Sequence, residues 1–595
     1  MIASKHLNKI IAVLVIITLV LSITLIYWPA STASATEVLY ESKLFGDKIV
    51  TIDITVNKAD WQDLLSNPTD KEYISSELTI NGEVFGLVGI RTKGNSSLTQ
   101  VAQQKDSDRY SLQFKFDQFQ SGQTYYGLDS FCINNIVGDN TYMKDYISYE
   151  IMNFIGVPTP LTNYAKVTVN GEDYGFFVTI ERYERSFLAR NYETSAGQLY
   201  NVKTSMGANK ELNIIDNNEL TKGGEAGRNN VGNIRGAFQG GFSGSGGGGD
   251  LVYTDDSVSS YPNILNNAEF KKNSDTDKQR VITAIKNLNE GTNLEKYFNV
   301  DEILRYLAAH TVLVNLDSYS SNMAQNYYIY ELDGKISILP WDYGLAFGGF
   351  QGGTASSMIN FPIDTPVSGV TMESRPLINK LLEVDKYKEK YHQYLQEIVD
   401  GYFKSGLYEE TITNLDNMIN EYIKNDSTSF TTYEAYTKSL DILKRIGTLR
   451  AESIEGQLKG TIPSTTEGQS LNKAALISDE GINLSDLGSF MGGGGNMGGD
   501  RPNQGFDNSE MPNMPNFENR ERGDFNRGDF NPDNFDGGDF NPGDFPGNFS
   551  VPSNRDSLGD KIEPSKTVIY LLYTVILLTI AIAVIYFFSR RRGNY

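Results

Sequence analysis

Two aspartates and two asparagines lie close together in the chain and carry oxygen atoms that are suited to chemistry. Asp317 is followed by Asn322 and Asn326, and Asp342 comes next in the same stretch. Carboxylate and amide oxygens are ligands of Mg²⁺ and Mn²⁺, and a carboxylate can also accept a proton from a hydroxyl group. These residue types therefore predict a metal site with a carboxylate base beside it.

A predicted β-hairpin would position these side chains. Residues 326–330 and 336–341 have the pattern of strands, and Asp333-Gly334 between them is a turn signal. Asn326 would stand where the first strand begins, and Asp342 directly after the second. An Asp, an Asn, a hairpin and an Asp-aromatic-Gly sequence follow one another in protein kinases, where they supply the catalytic base and two Mg²⁺ ligands.

That order assigns a role to each side chain. Asp317 is the predicted catalytic residue, since the kinase aspartate orients or accepts the proton of the substrate hydroxyl. Asp342 and Asn326 are the predicted metal ligands, and Asn322, which has the spacing of the kinase catalytic loop, is the second candidate for the asparagine. Alternatively, both residues have only structural roles, in which Asp317 caps a helix end and Asp342 lies in a turn.

The composition excludes several other classes of function. The 595 residues carry a formal net charge of −22, which argues against nucleic acid as a partner because a phosphate backbone attracts clustered Lys and Arg. Three histidines and a single cysteine, Cys132, argue against a histidine zinc site, a Ser-His-Asp triad and a disulfide framework. Chemistry must then come from carboxylates, amides and basic side chains, an inventory that suits Mg²⁺ or Mn²⁺ and phosphates.

Two apolar segments predict a membrane location. Residues 1–35 combine a basic start, a long apolar run and small residues, which is typical of a signal peptide or, without cleavage, of an N-terminal anchor. Residues 568–588 are long enough to form a transmembrane helix, and the basic tail 589–595 would stay in the cytoplasm by the positive-inside rule. The sequence thus predicts a cell-membrane protein, single-pass or two-pass, whose main domain is extracytoplasmic.

Between these segments the chain changes character twice. Strand patterns dominate the first part and helical spacing dominates from residue 267 onward, apart from the hairpin before Asp342. This α+β pattern predicts an N-terminal antiparallel sheet lobe and a C-terminal helical lobe within one domain at 37–460. Residues 232–249 would be a Gly-rich insertion, and 461–566 a disordered low-complexity linker with too few branched apolar residues to form a core.

Five short motifs lie in one order along this domain, at 89–97, 169–181, 250–253, 326–328 and 340–348. Together they resemble the spore coat protein H (CotH) kinase family. The resemblance implies an atypical protein-kinase-like two-lobed fold that binds ATP with Mg²⁺ or Mn²⁺ and phosphorylates Ser or Thr of proteins. The chain departs from the family at Gly344, which stands where a second Asp is common.

The first of these motifs contains four of the residues that are predicted to bind the nucleotide. Arg91, Lys93, Asn95 and Ser96 lie in and beside a Gly-containing turn. Backbone amides of such a turn, together with positive side chains, can cover phosphates. An ordinary hairpin loop is the alternative.

Two further residues are predicted cofactor ligands. Arg109 resembles the basic residue that precedes an aromatic residue in the family and would contact the phosphates, with Lys105 as the alternative. Glu181 ends a predicted hairpin at the place where a kinase hinge would meet the adenine. A solvated side chain for the two bases, and a charge at a helix start for Glu181, are the alternatives.

The sequence as a whole predicts a membrane-anchored, extracytoplasmic CotH-like protein kinase. It would transfer the γ-phosphoryl group of ATP to Ser or Thr of surface or coat proteins, so its partners would be ATP, a protein substrate and the membrane. Two other functions remain open: a surface adhesion or scaffold protein without catalysis, and nucleotidyl transfer (AMPylation) on the same fold. A fold by itself does not separate these functions.

Overall fold

The computed structural model describes residues 39–104, 107–203, 247–351, 353–479, 481–488 and 490. All of them belong to one of the two units into which the chain divides, Met1–Gly499. The other unit, Asp500–Tyr595, lies outside the described residues.

Seven strands of this unit close into a barrel. They are β1 (Val50–Val56), β2 (Ile74–Ile80), β3 (Glu83–Thr92), β4 (Leu112–Lys115), β5 (Ser130–Asn134), β6 (Thr162–Val169) and β7 (Glu172–Glu181). Their order around the barrel is β1-β2-β3-β4-β5-β7-β6. The ring closes because β1 also pairs in parallel with β6, with Val50 opposite Ala165 and Ile54 opposite Val169.

The barrel interior forms one of the two hydrophobic cores. Buried and exposed residues alternate along β1, as expected for a strand with one face inside. Ile52, Leu78 and Phe114 are buried in this core, and the ring of Phe114 stacks on that of Phe131 at a centroid distance of 4.6 Å. Burying each such side chain stabilises the fold by about 2 kcal/mol.

The closed barrel shows that the predicted kinase-like two-lobed fold is wrong. Strands occur in the first half of the chain as expected, but they do not form an open antiparallel sheet lobe. Alternation along a strand indicates which face is buried, yet it does not indicate which strand lies beside it. The parallel pairing of β1 with β6 joins segments that are far apart in the sequence, so the pattern alone could not predict the closure.

A second sheet contains the predicted hairpin. Its strands are β8 (Gln198–Val202), β9 (Tyr327–Leu332) and β10 (Lys335–Pro340), in the antiparallel order β10-β9-β8. Tyr327 lies opposite Pro340 in this register. The residues just before β9 and just after β10 therefore leave the sheet at the same end of the hairpin.

Helices cover the second sheet and also contact the barrel, and the larger hydrophobic core lies among them. They are α1 (Leu39–Leu44), α2 (Lys58–Ser66), α3 (Ser96–Ala102), α4 (Lys144–Phe154), α5 (Arg185–Tyr192), α6 (Pro262–Leu265), α7 (Asp275–Glu290), α8 (Leu294–Tyr297), α9 (Val300–Leu313), α10 (Ala355–Ile359), α11 (Pro376–Leu382), α12 (Asp385–Ile398), α13 (Leu407–Lys424), α14 (Tyr433–Leu458) and α15 (Thr466–Leu471). A π-helical turn, Val399–Phe403, follows α12.

Helical turns continue past residue 460, inside the segment that was expected to be a disordered linker. Ile462 and Leu487 are buried, and the N–H of Asn140 donates to the carbonyl oxygen of Leu487 at 3.1 Å. A few apolar residues suffice here because they pack on a core that the preceding helices already form. The predicted linker, 461–566, therefore starts too early, and its remainder from 491 onward lies outside the described residues.

Among the described residues, no helix is long and apolar enough to cross a membrane. The prediction of a membrane protein therefore finds no support in this part of the chain. The segments that suggested it, 1–35 and 568–588, lie outside the described residues, as does the basic tail 589–595. Most of the predicted Gly-rich insertion, 232–246, is also outside them.

Candidate active site

Asp317 lies in the loop that follows α9. The helix ends at Leu313 and is capped by Val314, whose backbone is left-handed with φ of 48° and whose N–H donates to the carbonyl oxygen of His310 at 3.1 Å. The N–H of Asp317 then donates to Oδ1 of Asn315 at 3.2 Å. This arrangement leaves the half-buried Asp317 carboxylate to bond with residues at the start of β9.

Two amides hold that carboxylate. Nε2 of Gln325 donates to Oδ1 of Asp317 at 3.0 Å, and Nδ2 of Asn326 donates to Oδ2 at 2.9 Å and to the Asp317 carbonyl oxygen at 2.8 Å. Asn326 has φ of 56°, a conformation that asparagine tolerates better than most residues. Because its NH₂ group donates to Asp317, the Oδ1 atom of Asn326 is the one suited to bind a cation.

Asp342 directly follows β10 and is fixed through its backbone. Its N–H donates to the hydroxyl of Tyr149 at 3.2 Å, and its carbonyl oxygen accepts from Nδ2 of Asn315 at 3.0 Å. Its φ of 61° is rare for a residue with a side chain, and such backbone conformations gather at functional sites. Asn315 contacts both loops and so brings Asp317 and Asp342 into one site.

A third carboxylate, Asp145 on α4, joins this site and was not predicted. Oδ1 of Asp145 accepts from the N–H of Tyr343 at 2.9 Å, and Oδ2 lies 3.4 Å from Nδ2 of Asn134. The first turn of α4 is held by Asp139, whose Oδ2 accepts from the N–H of Lys144 at 3.0 Å. In the sequence the only signal was a charged pair at the start of a helix whose other residues are mostly apolar or aromatic.

Lys93 is connected to the acidic residues through Asn134. Its Nζ donates to Oδ1 of Asn134 at 2.5 Å and lies 5.4 Å from the ring centre of Trp341, the residue before Asp342. Lys93 follows the end of β3, and Asn134 ends β5, so the barrel supplies this part of the site. The predicted nucleotide-binding residue Lys93 is thus close to the predicted metal ligand Asp342.

The charge of Asp342 acts on both of the other carboxylates. Burial, and then the charge of Asp342, raise the pKa of Asp317 to about 7, although the amides of Gln325 and Asn326 act in the opposite direction. Burial and Asp342 likewise raise the pKa of Asp145 to about 7, against the effects of Lys93 and the Tyr343 amide. Negative charge is therefore concentrated here, with Lys93 acting against it, and such a setting favours a divalent cation.

The donor set suits a cation that shares its ligands with a substrate phosphate. In the described part of the chain, no group of three or more His, Cys, Asp and Glu side chains is arranged to hold a metal. Mg²⁺ typically binds through one or two carboxylates plus phosphate oxygens and water. Asp342 and Asn326 fit a site of this kind, in which phosphate oxygens and water supply the other ligands.

The other residues of the predicted phosphate loop have partners of their own. Arg91 donates to Oε1 of Gln113 at 2.8 Å, and Asn95 accepts from Nζ of Lys71 at 2.7 Å. Ser96 is the first residue of α3. Asn322 is half-buried in the loop between Asp317 and β9, and the asparagine that bonds to Asp317 is Asn326.

Arg109 is engaged in a different part of the molecule. It is 2% exposed, and its guanidinium donates to Oδ2 of Asp426 at 2.6 Å, to Thr428 at 2.6 Å and to the carbonyl oxygen of Phe176. These contacts join the barrel to the loop that follows α13. Lys105, the alternative base, lies outside the described residues.

Glu181, the last residue of β7, is fully buried in a network of its own. Its carboxylate accepts from the hydroxyl of Tyr40 at 2.7 Å, from the N–H of Leu161 at 3.1 Å and from the guanidinium of Arg190. A carboxylate bonded in this way stabilises the barrel rim. Both of its carboxylate oxygens already have partners in this network.

A family model described as CotH kinase protein matches residues 90–454. The chain belongs to the CotH family. The match includes Lys93, Asp145, Asp317, Asn326 and Asp342, so the site lies within the part that defines the family, and it confirms the resemblance seen in the motifs. No curated protein matches this chain.

Proposed function

We propose that this CotH-family chain is a metal-dependent protein kinase, which transfers the γ-phosphoryl group of ATP to Ser or Thr of a protein substrate. The observation that carries the proposal is the position of Asp317, whose carboxylate is held by Gln325 and Asn326 and is electrostatically coupled to Asp342. Family membership supports a kinase-like function at the coarser level. A coat protein is the proposed substrate.

Asp317 is the proposed acceptor of the hydroxyl proton. Its two oxygens are fixed by amide donors, so the carboxylate keeps one orientation while lone pairs remain for the substrate O–H. Burial and Asp342 bring its pKa to about 7. A general base acts best when its pKa lies near the working pH, which fits this role.

Asp342 and Oδ1 of Asn326 would hold the divalent cation, Mg²⁺ or Mn²⁺. When bound, the cation would neutralise charge on the transferred phosphoryl group. Tyr149 and Asn315 hold the Asp342 backbone from two sides. Residue 342 is therefore already in position when the cation binds.

Lys93 is the proposed phosphate contact. Its ammonium group is connected to Asp145 through Asn134, and in protein kinases a lysine paired with a helix carboxylate contacts the phosphates in a comparable way. The ring of Trp341 lies beside Nζ and limits where the ammonium can move. Arg109 and Glu181 are left out of the proposed site because their side chains have buried partners elsewhere.

The test is a transfer assay on the full-length protein with ATP labelled at the γ position, Mn²⁺ or Mg²⁺, and a coat-protein mixture. Wild type should transfer label to Ser or Thr, and Asp317→Asn should lower the rate by about 100-fold or more. Asp342→Asn should lower transfer and also weaken metal-dependent ATP binding. Asp333→Asn is the matched control, since this exposed residue lies in the turn of the same hairpin.

Three outcomes would count against the proposal. Equal transfer by wild type and Asp317→Asn would remove Asp317 from the chemistry. Label that enters protein only from the α position would identify nucleotidyl transfer instead. ATP binding without any transfer to protein would favour a scaffold without catalysis.

A further inference from the structure

Asp145 is buried next to other acidic groups and makes no ion pair with a described residue, although the charges of Lys93 and Lys144 act on it. It is 8% exposed, and in the described part of the chain no Lys or Arg nitrogen lies within ion-pair distance of its carboxylate. Its two bonding partners, the N–H of Tyr343 and Nδ2 of Asn134, are neutral. A buried carboxylate of this kind is costly unless a positive charge reaches it.

The glycine at residue 344 leaves room for a small group beside Oδ2 of Asp145. A Cβ placed on Gly344 would lie 3.5 Å from Oδ2 and 3.9 Å from Cγ of Asp145. Gly344 is not among the glycines with positive φ, so the backbone does not require a glycine here. What the missing side chain provides is room beside a carboxylate oxygen, two residues after Asp342.

We propose that Asp145 is a ligand of the divalent cation that Asp342 binds, and that Oδ2 reaches the cation through the space beside Gly344. This inference rests on the proposed function, because it concerns the cation of that same site. Oδ1 stays bonded to the N–H of Tyr343, so Asp145 holds the loop after β10 with one oxygen and presents the other to the cation. Because Tyr343 directly follows Asp342, this bond keeps Asp145 beside the loop that carries Asp342.

The first experiment measures Mn²⁺ binding to the full-length protein by electron paramagnetic resonance, without nucleotide and without any activity readout. Asp145→Asn keeps the size of the side chain and its acceptor for Tyr343, and it should weaken Mn²⁺ binding by about tenfold or more. Asp342→Asn should weaken it as well. Asp333→Asn should bind Mn²⁺ as the wild type does.

A second experiment places a carboxylate at residue 344 in place of the one at residue 145. In the Asp145→Asn background, Gly344→Asp would place a carboxylate in the same space and should restore Mn²⁺ affinity to within about threefold of wild type. Gly344→Asn in that background has the same shape without the charge and should restore nothing. A purely structural role for Asp145 would not be rescued by charge at residue 344.

The results separate this inference from the proposed function. If Asp342→Asn and Asp145→Asn both bind Mn²⁺ normally, the metal site itself is wrong. If only Asp342→Asn loses affinity, or if the Asp and Asn changes at 344 act alike, Asp145 is not a ligand. Should Asp145→Asn fail to fold, Fe²⁺-directed oxidative cleavage of the wild type decides: cuts at both 145 and 342 are expected, and cuts at 342 without 145 overturn the inference.

Discussion

Nδ2 of Asn315 donates a hydrogen bond to the carbonyl oxygen of Asp342 at 3.0 Å. The other atom of the same amide, Oδ1, accepts from the N–H of Asp317 at 3.2 Å. Asn315 is fully buried, so neither bond competes with water. One side chain thus sets the separation between the loop after α9 and the loop after β10, which carry the proposed base and the proposed metal ligand.

Asn315→Asp should disturb the site more than the fold. The aspartate can still accept from the N–H of Asp317, but it cannot donate to the Asp342 carbonyl oxygen. We expect a loss of about 1–2 kcal/mol in the free energy of unfolding, from urea titration, together with weaker Mn²⁺ binding. The matched control is Asn163→Asp in the barrel, where Nδ2 donates to the carbonyl oxygens of Leu44 and Lys48.

Asn163→Asp should cost a similar free energy and leave Mn²⁺ binding unchanged. If both variants weaken Mn²⁺ binding equally, the effect comes from general destabilisation, and Asn315 has no special role in positioning Asp342.

The buried pair between Arg109 and Asp426 should matter for stability and not for the nucleotide. Asp426→Asn leaves a buried guanidinium without its counter-ion, so we expect a loss of about 3–5 kcal/mol in the free energy of unfolding. The ATP affinity of the folded variant should equal that of the wild type. Glu295→Gln, which removes an exposed pair with Lys386, is the control and should leave unfolding unchanged.

A large fall in ATP affinity on Asp426→Asn, measured on folded protein, would return Arg109 to the list of phosphate ligands.

Lys93→Met should weaken ATP binding while Mn²⁺ binding without nucleotide is kept. Methionine preserves the apolar part of the side chain beside Trp341 and removes the ammonium group. The loss of one charge-assisted phosphate contact predicts a dissociation constant for ATP about tenfold higher, by isothermal titration calorimetry. Lys43→Met is the control, since the ammonium group of Lys43 pairs with Glu83. Unchanged ATP affinity in Lys93→Met would remove Lys93 from the site.

The hairpin could be predicted from the sequence because its signals are local. The turn at Asp333-Gly334 and the alternation on each side fix which residues stand at its open end, and the register places Asn326 and Asp342 there. The pairing of Arg109 could not be predicted from the sequence, because its partner, Asp426, is 317 residues away in the chain. Asp145 was missed for a similar reason: its importance arises only when α4 packs against the end of β10.

His310 should make the protein less stable in weak acid. Its ring is buried, with Nδ1 2.8 Å from the hydroxyl of Tyr343 and Nε2 2.8 Å from the hydroxyl of Ser320, and it stacks on Tyr306. Burial lowers the pKa of His310 from 6.5 to about 4. Above the unfolded pKa the ring is neutral in both states, whereas between that value and 4 only the unfolded chain binds the proton, so stability falls as the pH falls through this window.

The contribution of His310 to the free energy of unfolding, from urea titration, should therefore be about 2 kcal/mol smaller at pH 5 than at pH 7. His310→Gln keeps one polar group near Tyr343 or Ser320 but does not titrate, so the difference between the two pH values should shrink by that amount. Asp364→Asn is the companion variant. The bonds of Asp364 to His392 and Ser464 outweigh its burial and lower the pKa of its carboxyl to about 2, so this carboxyl responds to acid independently of His310. An unchanged pH dependence in His310→Gln would mean that the imidazole is protonated inside the fold, since only a ring that stays neutral when buried produces the predicted loss.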